Sequence, residues 1–231
     1  MQNICNPNLN NLQYEEFLWR KGIELIAGVD EVGRGALAGP MVVGAVILKA
    51  DDLRKHTNEP SRTNIRDRLF CKQNNDIYSQ IKDSKLLSPK KREVLSAFIL
   101  QNCLCYSVFQ VSAQEIDTYG ISACTQKAFF GAIKALKIAP EHILTDAFPI
   151  KAFPSAIQTN IIAGDRASLT ISAASIVAKI FRDNLMYDLG KQMNYINYGF
   201  AQHKGYGTKL HMERIKQYGV SNIHRKSFIH F

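Results

Sequence analysis

The sequence predicts an α/β fold in which a mixed sheet is covered by helices on both faces and is followed by a basic helical extension. Three short apolar segments of strand length occur early, and strand-like segments then alternate with helix-like ones, which is the pattern of this class. With 46% hydrophobic and 21% charged residues over 231 positions, the composition is that of a globular protein rather than a disordered one. We therefore expect an α/β domain at 1–190 and a helical extension at 191–231.

The first part of the chain contains one helix and two strands. An amphipathic segment predicts a helix at 14–21, and apolar runs predict strands at 23–31 and 41–48, with a glycine-rich turn between the strands. From 51 to 80 the hydrophobic periodicity is lost and basic and acidic residues nearly cancel. We expect this stretch to be a long exposed insertion.

The rest of the predicted domain alternates between helices and strands. Its first helix begins with Ser88 as the cap and Pro89 in the first turn, both preferred residues at those positions. Small residues in its last helix permit close packing against a sheet. The predicted helices are 89–102, 122–136 and 168–189, and the predicted strands are 104–111, 142–148 and 156–163.

The positive charge is concentrated near the C-terminus. The formal net charge is +9, and the segment 191–231 contributes +6 of it, from seven basic residues and one acid. The same segment is rich in tyrosine, phenylalanine and histidine. Basic side chains interleaved with aromatic ones suit a nucleic-acid backbone, although a solvated pair of terminal helices would have the same composition.

The sequence also indicates the cellular compartment. The longest near-apolar run, 37–48, contains two glycines and a proline and is too short to cross a bilayer. The N-terminus lacks the basic and apolar segments of a secretory signal, so we expect a cytoplasmic protein. The five cysteines have no paired spacing, and we interpret them as ordinary thiols, largely buried, rather than metal ligands or disulfides.

Four acidic residues stand at the ends of predicted strands, namely Asp30, Glu31, Asp146 and Asp165. Acids at the ends of several strands of an α/β sheet converge where ligands usually bind. Carboxylates brought together repel one another unless a cation neutralises them, and an all-oxygen set selects a hard ion such as Mg²⁺ or Mn²⁺. Two such ions could hydrolyse a phosphodiester. The alternative is that each acid only caps a turn or a helix.

Five blocks of the sequence, in order, closely resemble the ribonuclease HII family. They are GVDEVGRGALAGPMVVGAVIL at 28–48, DSKLLS at 83–88, ILTDA at 143–147, GDRASLTISAASIVAKIFRD at 164–183 and YGFAQHKGYGT at 198–208. The resemblance covers nearly the whole chain, and the lack of the extra N-terminal domain found in ribonuclease HIII favours type II. Two departures are Ala36, where the family usually has proline, and the length of the 51–80 insertion.

The resemblance implies a ribonuclease H-like sheet and cleavage on the 5′ side of a ribonucleotide, in RNA–DNA hybrids and in duplex DNA. It assigns the four metal-binding carboxylates of the family to Asp30, Glu31, Asp146 and Asp165. It assigns the turn that recognises the ribonucleotide to Gly33, Arg34 and Gly35. The tyrosine that stacks on the sugar of the next deoxynucleotide corresponds to Tyr206.

Two other functions stay open at this point. A metal-dependent DNA nuclease or resolvase of the same fold would need the clustered acids but not a turn that reads ribose. A non-catalytic hybrid-binding module would use the acids only structurally. We expect two divalent ions, Mg²⁺ or Mn²⁺, as cofactors, RNA–DNA hybrid and ribonucleotide-containing duplex DNA as partners, no membrane association, and a monomer.

Overall fold

A computed structural model describes residues 11–54, 77–82 and 84–230. The α-helices are α1 (Gln13–Arg20), α2 (Ala50–Arg54), α3 (Pro89–Asn102), α4 (Ala113–Lys134), α5 (Gly164–Ala167), α6 (Leu169–Leu189), α7 (Phe200–His203) and α8 (Lys209–Tyr218). The strands are β1 (Ile26–Val32), β2 (Met41–Ile47), β3 (Cys105–Val111), β4 (His142–Asp146) and β5 (Gln158–Ile161). The short 3₁₀ helices are Ser84–Leu86, Ser155–Ile157, Ile196–Tyr198 and Lys226–Phe228.

The five strands form one mixed sheet in the order β3-β2-β1-β4-β5. Strands β1, β2 and β3 are antiparallel neighbours, whereas β1, β4 and β5 are parallel. Val29 of β1 lies opposite Thr145 of β4, so the two strands end side by side. The predicted mixed α/β sheet is therefore confirmed, and its parallel half brings three strand ends to one edge.

Each face of the sheet has its own hydrophobic core. One core joins the sheet to α1, α3 and α6 through residues such as Leu18, Ile99 and Ile176. The other joins it to α4 through residues such as Phe129 and Ile133. The predicted placement of helices on both faces is confirmed, and the alternation of side chains along β1 supplies both cores.

Helix α6 lies unusually close to the sheet, because two glycines face it. A Cβ atom on Gly28 would lie 2.2 Å from the backbone of Thr170, and one on Gly44 would lie 2.6 Å from the carbonyl oxygen of Ala174. No side chain fits in that space. The alanines predicted to permit close packing, Ala173 and Ala174, are fully buried in this contact.

Several predicted boundaries differ from the structure. The helix predicted at 122–136 begins at Ala113, because Ser112 and Glu115 form a reciprocal capping box, and its helical geometry is interrupted at Gly120. The strand predicted at 156–163 spans only Gln158–Ile161, because a 3₁₀ turn precedes it.

The predicted insertion at 51–80 lies mostly outside the described residues. Its described ends differ from the prediction, because they are anchored in the protein rather than exposed. Leu53 and Tyr78 are buried in the core shared with α1, α3 and α6.

The C-terminal extension is helical as predicted, and buried arginines join it to the rest of the chain. The guanidinium of Arg225 donates to the carbonyl oxygens of Gly39 and Arg34, and that of Arg182 donates to those of Pro40, Ala38 and Lys204. The domain boundary at residue 190 stays a prediction. Among the described residues, none of the helices combines the length and apolarity that crossing a bilayer requires.

Candidate active site

The carboxyl edge of the parallel strands carries four acidic side chains, which we call the acid cluster: Asp30, Glu31, Asp146 and Asp165. Asp30 and Glu31 lie near the end of β1, and Asp146 is the last residue of β4. Asp165 lies in the first turn of α5, directly after β5. The three strands run parallel, so their ends meet at one edge, where α/β proteins usually bind ligands.

Backbone N–H groups fix two of these carboxylates. Asp30 Oδ1 accepts from the N–H of Glu31, and Asp146 Oδ1 accepts from the N–H of Gly164, each at 2.8 Å. Ala147, directly after Asp146, and Ala163, directly before Gly164, adopt φ angles of 59° and 54°, a region that a non-glycine residue enters at a cost of about 1–2 kcal/mol. Asp146 therefore does accept a hydrogen bond from the start of α5, as the alternative of a capping role expected, and the strained residues Ala147 and Ala163 stand on either side of this contact.

The carboxylates of the acid cluster repel one another, because too little positive charge lies near them to balance theirs. Burial raises the pKa of Asp30 well above its usual range, and the neighbouring charges of Glu31, Asp146 and Asp165 raise it further. Burial and Asp146 also raise the pKa of Glu31. Asp30 is only 6% exposed. The folded apoprotein therefore bears an electrostatic cost that a bound cation would relieve.

The acid cluster fits a divalent cation by its chemistry rather than by a ready geometry. Among the described residues, no three acidic, histidine or cysteine side chains already lie close enough to hold a metal ion between them. However, Oε2 of Glu31 is buried without a hydrogen-bond partner, and the donors are all carboxylate oxygens, the ligands that Mg²⁺ and Mn²⁺ prefer. Side-chain rotation toward a common point would be needed to hold the ion.

Two cations lie beside the acid cluster. Lys85 Nζ is 3.7 Å from Asp165 Oδ2, although the lysine side chain is largely exposed. The charge of Arg34 lowers the pKa of Glu31, which partly opposes the effect of burial. The Arg34 guanidinium stacks on Phe148, at 4.6 Å from the ring centroid, while its Nε makes no hydrogen bond. Arg34 is thus held near the site by packing and leaves donor capacity unused.

The predicted substrate-reading turn lies directly after β1. Gly33 has a φ of +81°, and a Cβ on it would collide with the side chain of Arg182. Gly35 has nothing within 4 Å of where a Cβ would stand. The fold therefore explains Gly33 but does not require Gly35 to be glycine, so the open space beside Gly35 is free for a ligand to approach the backbone.

Tyr206 lies in the C-terminal extension and is half-buried. Its ring is 5.2 Å from the guanidinium carbon of Arg182, the residue that contacts Gly33. Its carbonyl oxygen accepts from Nδ1 of the buried His211, whose Nε2 is 3.1 Å from Nε2 of His224. Tyr206 therefore packs within the extension and also lies close to the turn.

Comparison with known proteins identifies the family. The family model for ribonuclease HII matches residues 27–58 and 70–231. The chain belongs to the ribonuclease HII family. It is therefore an endoribonuclease, and membership implies a divalent metal cofactor.

Close relatives agree with this membership. Ribonuclease HII of Bacillus cytotoxicus is 43% identical over 99% of this chain and 77% of its own length. Ribonuclease HII of Acholeplasma laidlawii is 42% identical over 95% of each chain.

Solved structures of ribonuclease HII-type proteins share the fold. Ribonuclease H2 of Pyrococcus horikoshii is similar with a TM-score of 0.65 and 28% identity, covering 87% of this chain and 92% of that one. Ribonuclease HII of Archaeoglobus fulgidus, solved in complex with PCNA, has a TM-score of 0.66 and 23% identity, covering 90% and 96%. The predicted ribonuclease H-like architecture with C-terminal helices is therefore confirmed.

Sequence reasoning missed several residues that support this ribonuclease HII site. Ser175 of α6 hydrogen-bonds the Asp30 carboxylate and lies 3.0 Å from the hydroxyl of Ser84. Glu15, fully buried, accepts from the hydroxyl of Ser168 and the N–H of Thr170, so that α1 caps the start of α6. Glu15 carried no local signal, because its partners lie more than 150 positions away along the chain.

Proposed function

We propose that the chain hydrolyses the phosphodiester on the 5′ side of a ribonucleotide, leaving a 3′-OH and a 5′-phosphate. Its substrates are RNA–DNA hybrids and single ribonucleotides embedded in duplex DNA, and it acts as a monomer.

The observation that carries the proposal is the position of four acidic residues at one sheet edge, next to a turn with open space at Gly35. An acid cluster without a sugar-reading turn would suit any metal-dependent nuclease. The turn is near the acids, because it directly follows β1, which carries Asp30 and Glu31, and the charge of Arg34 lowers the pKa of Glu31. A phosphate next to a bound ribose would therefore reach the acid cluster.

The four acids hold the metal ions, and neighbouring groups orient the acids. Two divalent ions, Mg²⁺ or Mn²⁺, held by Asp30, Glu31, Asp146 and Asp165 would supply an activated water and stabilise the leaving oxygen. Ser175 and the Glu31 N–H orient Asp30, and Gly164 N–H orients Asp146. Lys85 offsets part of the charge beside Asp165 and is exposed enough to meet a phosphate.

The turn and Tyr206 select the substrate. The 2′-OH is the group by which a protein distinguishes RNA from DNA, and the backbone of Gly33, Arg34 and Gly35 can approach it without side-chain interference at Gly35. The Tyr206 ring would pack on the next sugar. A 2′-OH buried against that ring would lack a partner, which disfavours a second ribonucleotide there.

The test is a nicking assay with Mg²⁺ on three labelled duplexes: one with a single ribonucleotide, one with an RNA strand paired to DNA, and one entirely of DNA. We expect cleavage of the first two, with the single-ribonucleotide duplex nicked on the 5′ side of the ribose. Cleavage of the all-DNA duplex at a similar rate would instead indicate a DNA nuclease or resolvase. Binding without any nick would indicate a non-catalytic hybrid-binding module.

A further inference from the structure

A groove runs away from Tyr206 along helix α6. It has a volume of about 610 Å³ and lies between α6, the start of α3 and the C-terminal extension. We call it the α6 groove. Its charged and aromatic side chains are Arg92, Glu93, Lys179, Asp183, Tyr187, Lys204 and Tyr206. Because Tyr206 forms part of its wall, the groove is continuous with the proposed substrate site.

Helix α6 connects the acid cluster to this groove by residues spaced four apart. Ser175 contacts Asp30, and Lys179, Asp183 and Tyr187 follow at successive turns and line the groove. Twelve residues of helix separate Ser175 from Tyr187, a rise of about 18 Å. One strand of a duplex advances about 3.4 Å per nucleotide, so this distance corresponds to roughly five nucleotides.

Tyr187 has the features of a nucleic-acid contact rather than of a core residue. Its side chain is 46% exposed and belongs to none of the hydrophobic clusters among the described residues. Lys191 Nζ lies 3.9 Å from the centre of its ring and Lys204 Nζ lies 5.1 Å from it. Both ammonium groups lie over the ring as cation–π partners. Their movement to the phosphates of a bound strand would leave the ring as a flat apolar surface for a sugar.

The acids of the groove do not cancel its positive charge. Asp183 is occupied by Lys179, with 2.8 Å between Oδ1 and Nζ. Lys204 Nζ donates to the carbonyl oxygen of Ala201 at 2.7 Å, a neutral acceptor that does not cancel the charge of the lysine. Glu93 is the remaining acid that lines the groove. Three basic side chains exceed its charge, namely Arg92 and Lys204 in the groove and Lys191 at its end.

We propose that the α6 groove binds the DNA strand on the 3′ side of the ribonucleotide. In this arrangement Tyr187 packs on a deoxyribose about five nucleotides from the cleaved bond, and Lys191 and Lys204 contact the adjacent phosphates. The direction rests on the proposed function, in which Tyr206 packs on the sugar that follows the ribonucleotide. Tyr206 stands between the turn and the groove, because Arg182 touches both Gly33 and the Tyr206 ring.

The test compares variants on single-ribonucleotide duplexes whose 3′ DNA arm is either about two or about twelve nucleotides long, lengths chosen to stop short of or to pass Tyr187. Tyr187→Ala should lower kcat/KM on the long-arm duplex by about 5- to 150-fold, the range typical of one aromatic contact, and leave the short-arm duplex unaffected. Lys191→Gln should reduce the slope of log affinity against log salt by about 0.9 on the long arm only.

The matched control is Tyr218→Ala. Tyr218 is 43% exposed and lies 5.9 Å from the guanidinium carbon of Arg214, but it does not line the groove. This variant should behave as the wild type on both duplexes. Equal losses on both arm lengths for Tyr187→Ala, or no loss on either, would overturn the proposal.

A second series shortens the 5′ arm and keeps the 3′ arm long. If the loss in Tyr187→Ala depends on the 5′ arm instead, the groove assignment is wrong while the proposed function stands. If the wild-type protein does not nick a single-ribonucleotide duplex at all, the proposed function is overturned, and the strand direction assigned to the groove with it.

Discussion

Replacing Asp30 with asparagine should inactivate the enzyme and, in the absence of metal, make the protein more stable. Asparagine has nearly the same shape and keeps the Oδ1 atom that accepts from the N–H of Glu31. What it removes is a negative charge that is 6% exposed and lies near Glu31, Asp146 and Asp165. The Asp30→Asn protein therefore loses a metal ligand and also loses an electrostatic cost of folding.

The size of this gain follows from the neighbours. Two like charges about 4 Å apart repel by about 1 kcal/mol in water and about 4 kcal/mol near a protein surface. Asp30 has three acidic neighbours, and the hydrogen bond from Ser175 offsets part of the cost. We expect the free energy of unfolding in EDTA at pH 8 to increase by about 1–3 kcal/mol, within the range seen when buried charges are removed.

Adding metal should reverse the effect. A ligand at 100 times its dissociation constant stabilises the folded state by about 2.7 kcal/mol, and the wild type should gain this while Asp30→Asn should not. The assay is urea unfolding in EDTA and again in excess Mg²⁺. A lower stability of Asp30→Asn in EDTA would refute the electrostatic account of the site.

Asp117→Asn is the matched control. Burial raises the pKa of Asp117, but hydrogen bonds from Ser227 and Lys226 lower it by more, so its carboxylate is stabilised by its partners. This substitution should lower the free energy of unfolding in EDTA and leave nicking activity intact. If the free energy of unfolding in EDTA rises for Asp30→Asn and falls for Asp117→Asn, the gain comes from the acid cluster and not from the removal of a charge in general.

The remaining predictions concern the C-terminal extension. Tyr206→Ala should change the ratio of cleavage rates on single-ribonucleotide and all-RNA strands by about 5- to 100-fold, because one unpaired hydroxyl costs about 1–3 kcal/mol, whereas Tyr206→Phe should largely keep it; an unchanged ratio would contradict this. Burial lowers the pKa of His211 and of His224 to about 4 each, below the unfolded value near 6.5, so their contribution to stability is present above pH 6.5 and is lost toward pH 4. Proton NMR should show neither imidazole titrating near pH 6.5. Replacing the exposed Lys209 and Lys216 with glutamine should reduce the salt slope of duplex binding by up to about 1.8, and an unchanged slope would exclude both from phosphate contact.

The acids of the candidate site that lie at strand ends could be located from the sequence. Apolar runs that end in an acid identify Asp30 and Asp146, because a strand boundary is a local property of the chain. The start of α4 was misplaced because the polar segment after Ser112 obscures a helix that only its capping box reveals. Arg182 and Arg225 could not be predicted, since each is fully buried with only backbone carbonyls as hydrogen-bond acceptors, a role that no spacing or pattern indicates.

Those two arginines also change how the basic extension should be tested. The basic composition of the extension predicts that it supplies affinity through its charge, and deletion of 191–231 is the obvious experiment. However, Arg225 uses its charge inside the protein, and Tyr198 and Phe200 pack with Met186 of α6 in a shared core. Deletion would therefore unfold part of the domain, and single exposed lysines are the better targets.

We propose above that the acid cluster performs the chemistry of cleavage beside a bound ribonucleotide. The most direct measurement is the single-turnover nicking rate of Asp146→Asn on a single-ribonucleotide duplex at saturating Mg²⁺, together with the dissociation constant for the same duplex. We expect nicking to fall to background while duplex binding stays within a few fold of the wild type. Nicking at the wild-type rate would contradict it.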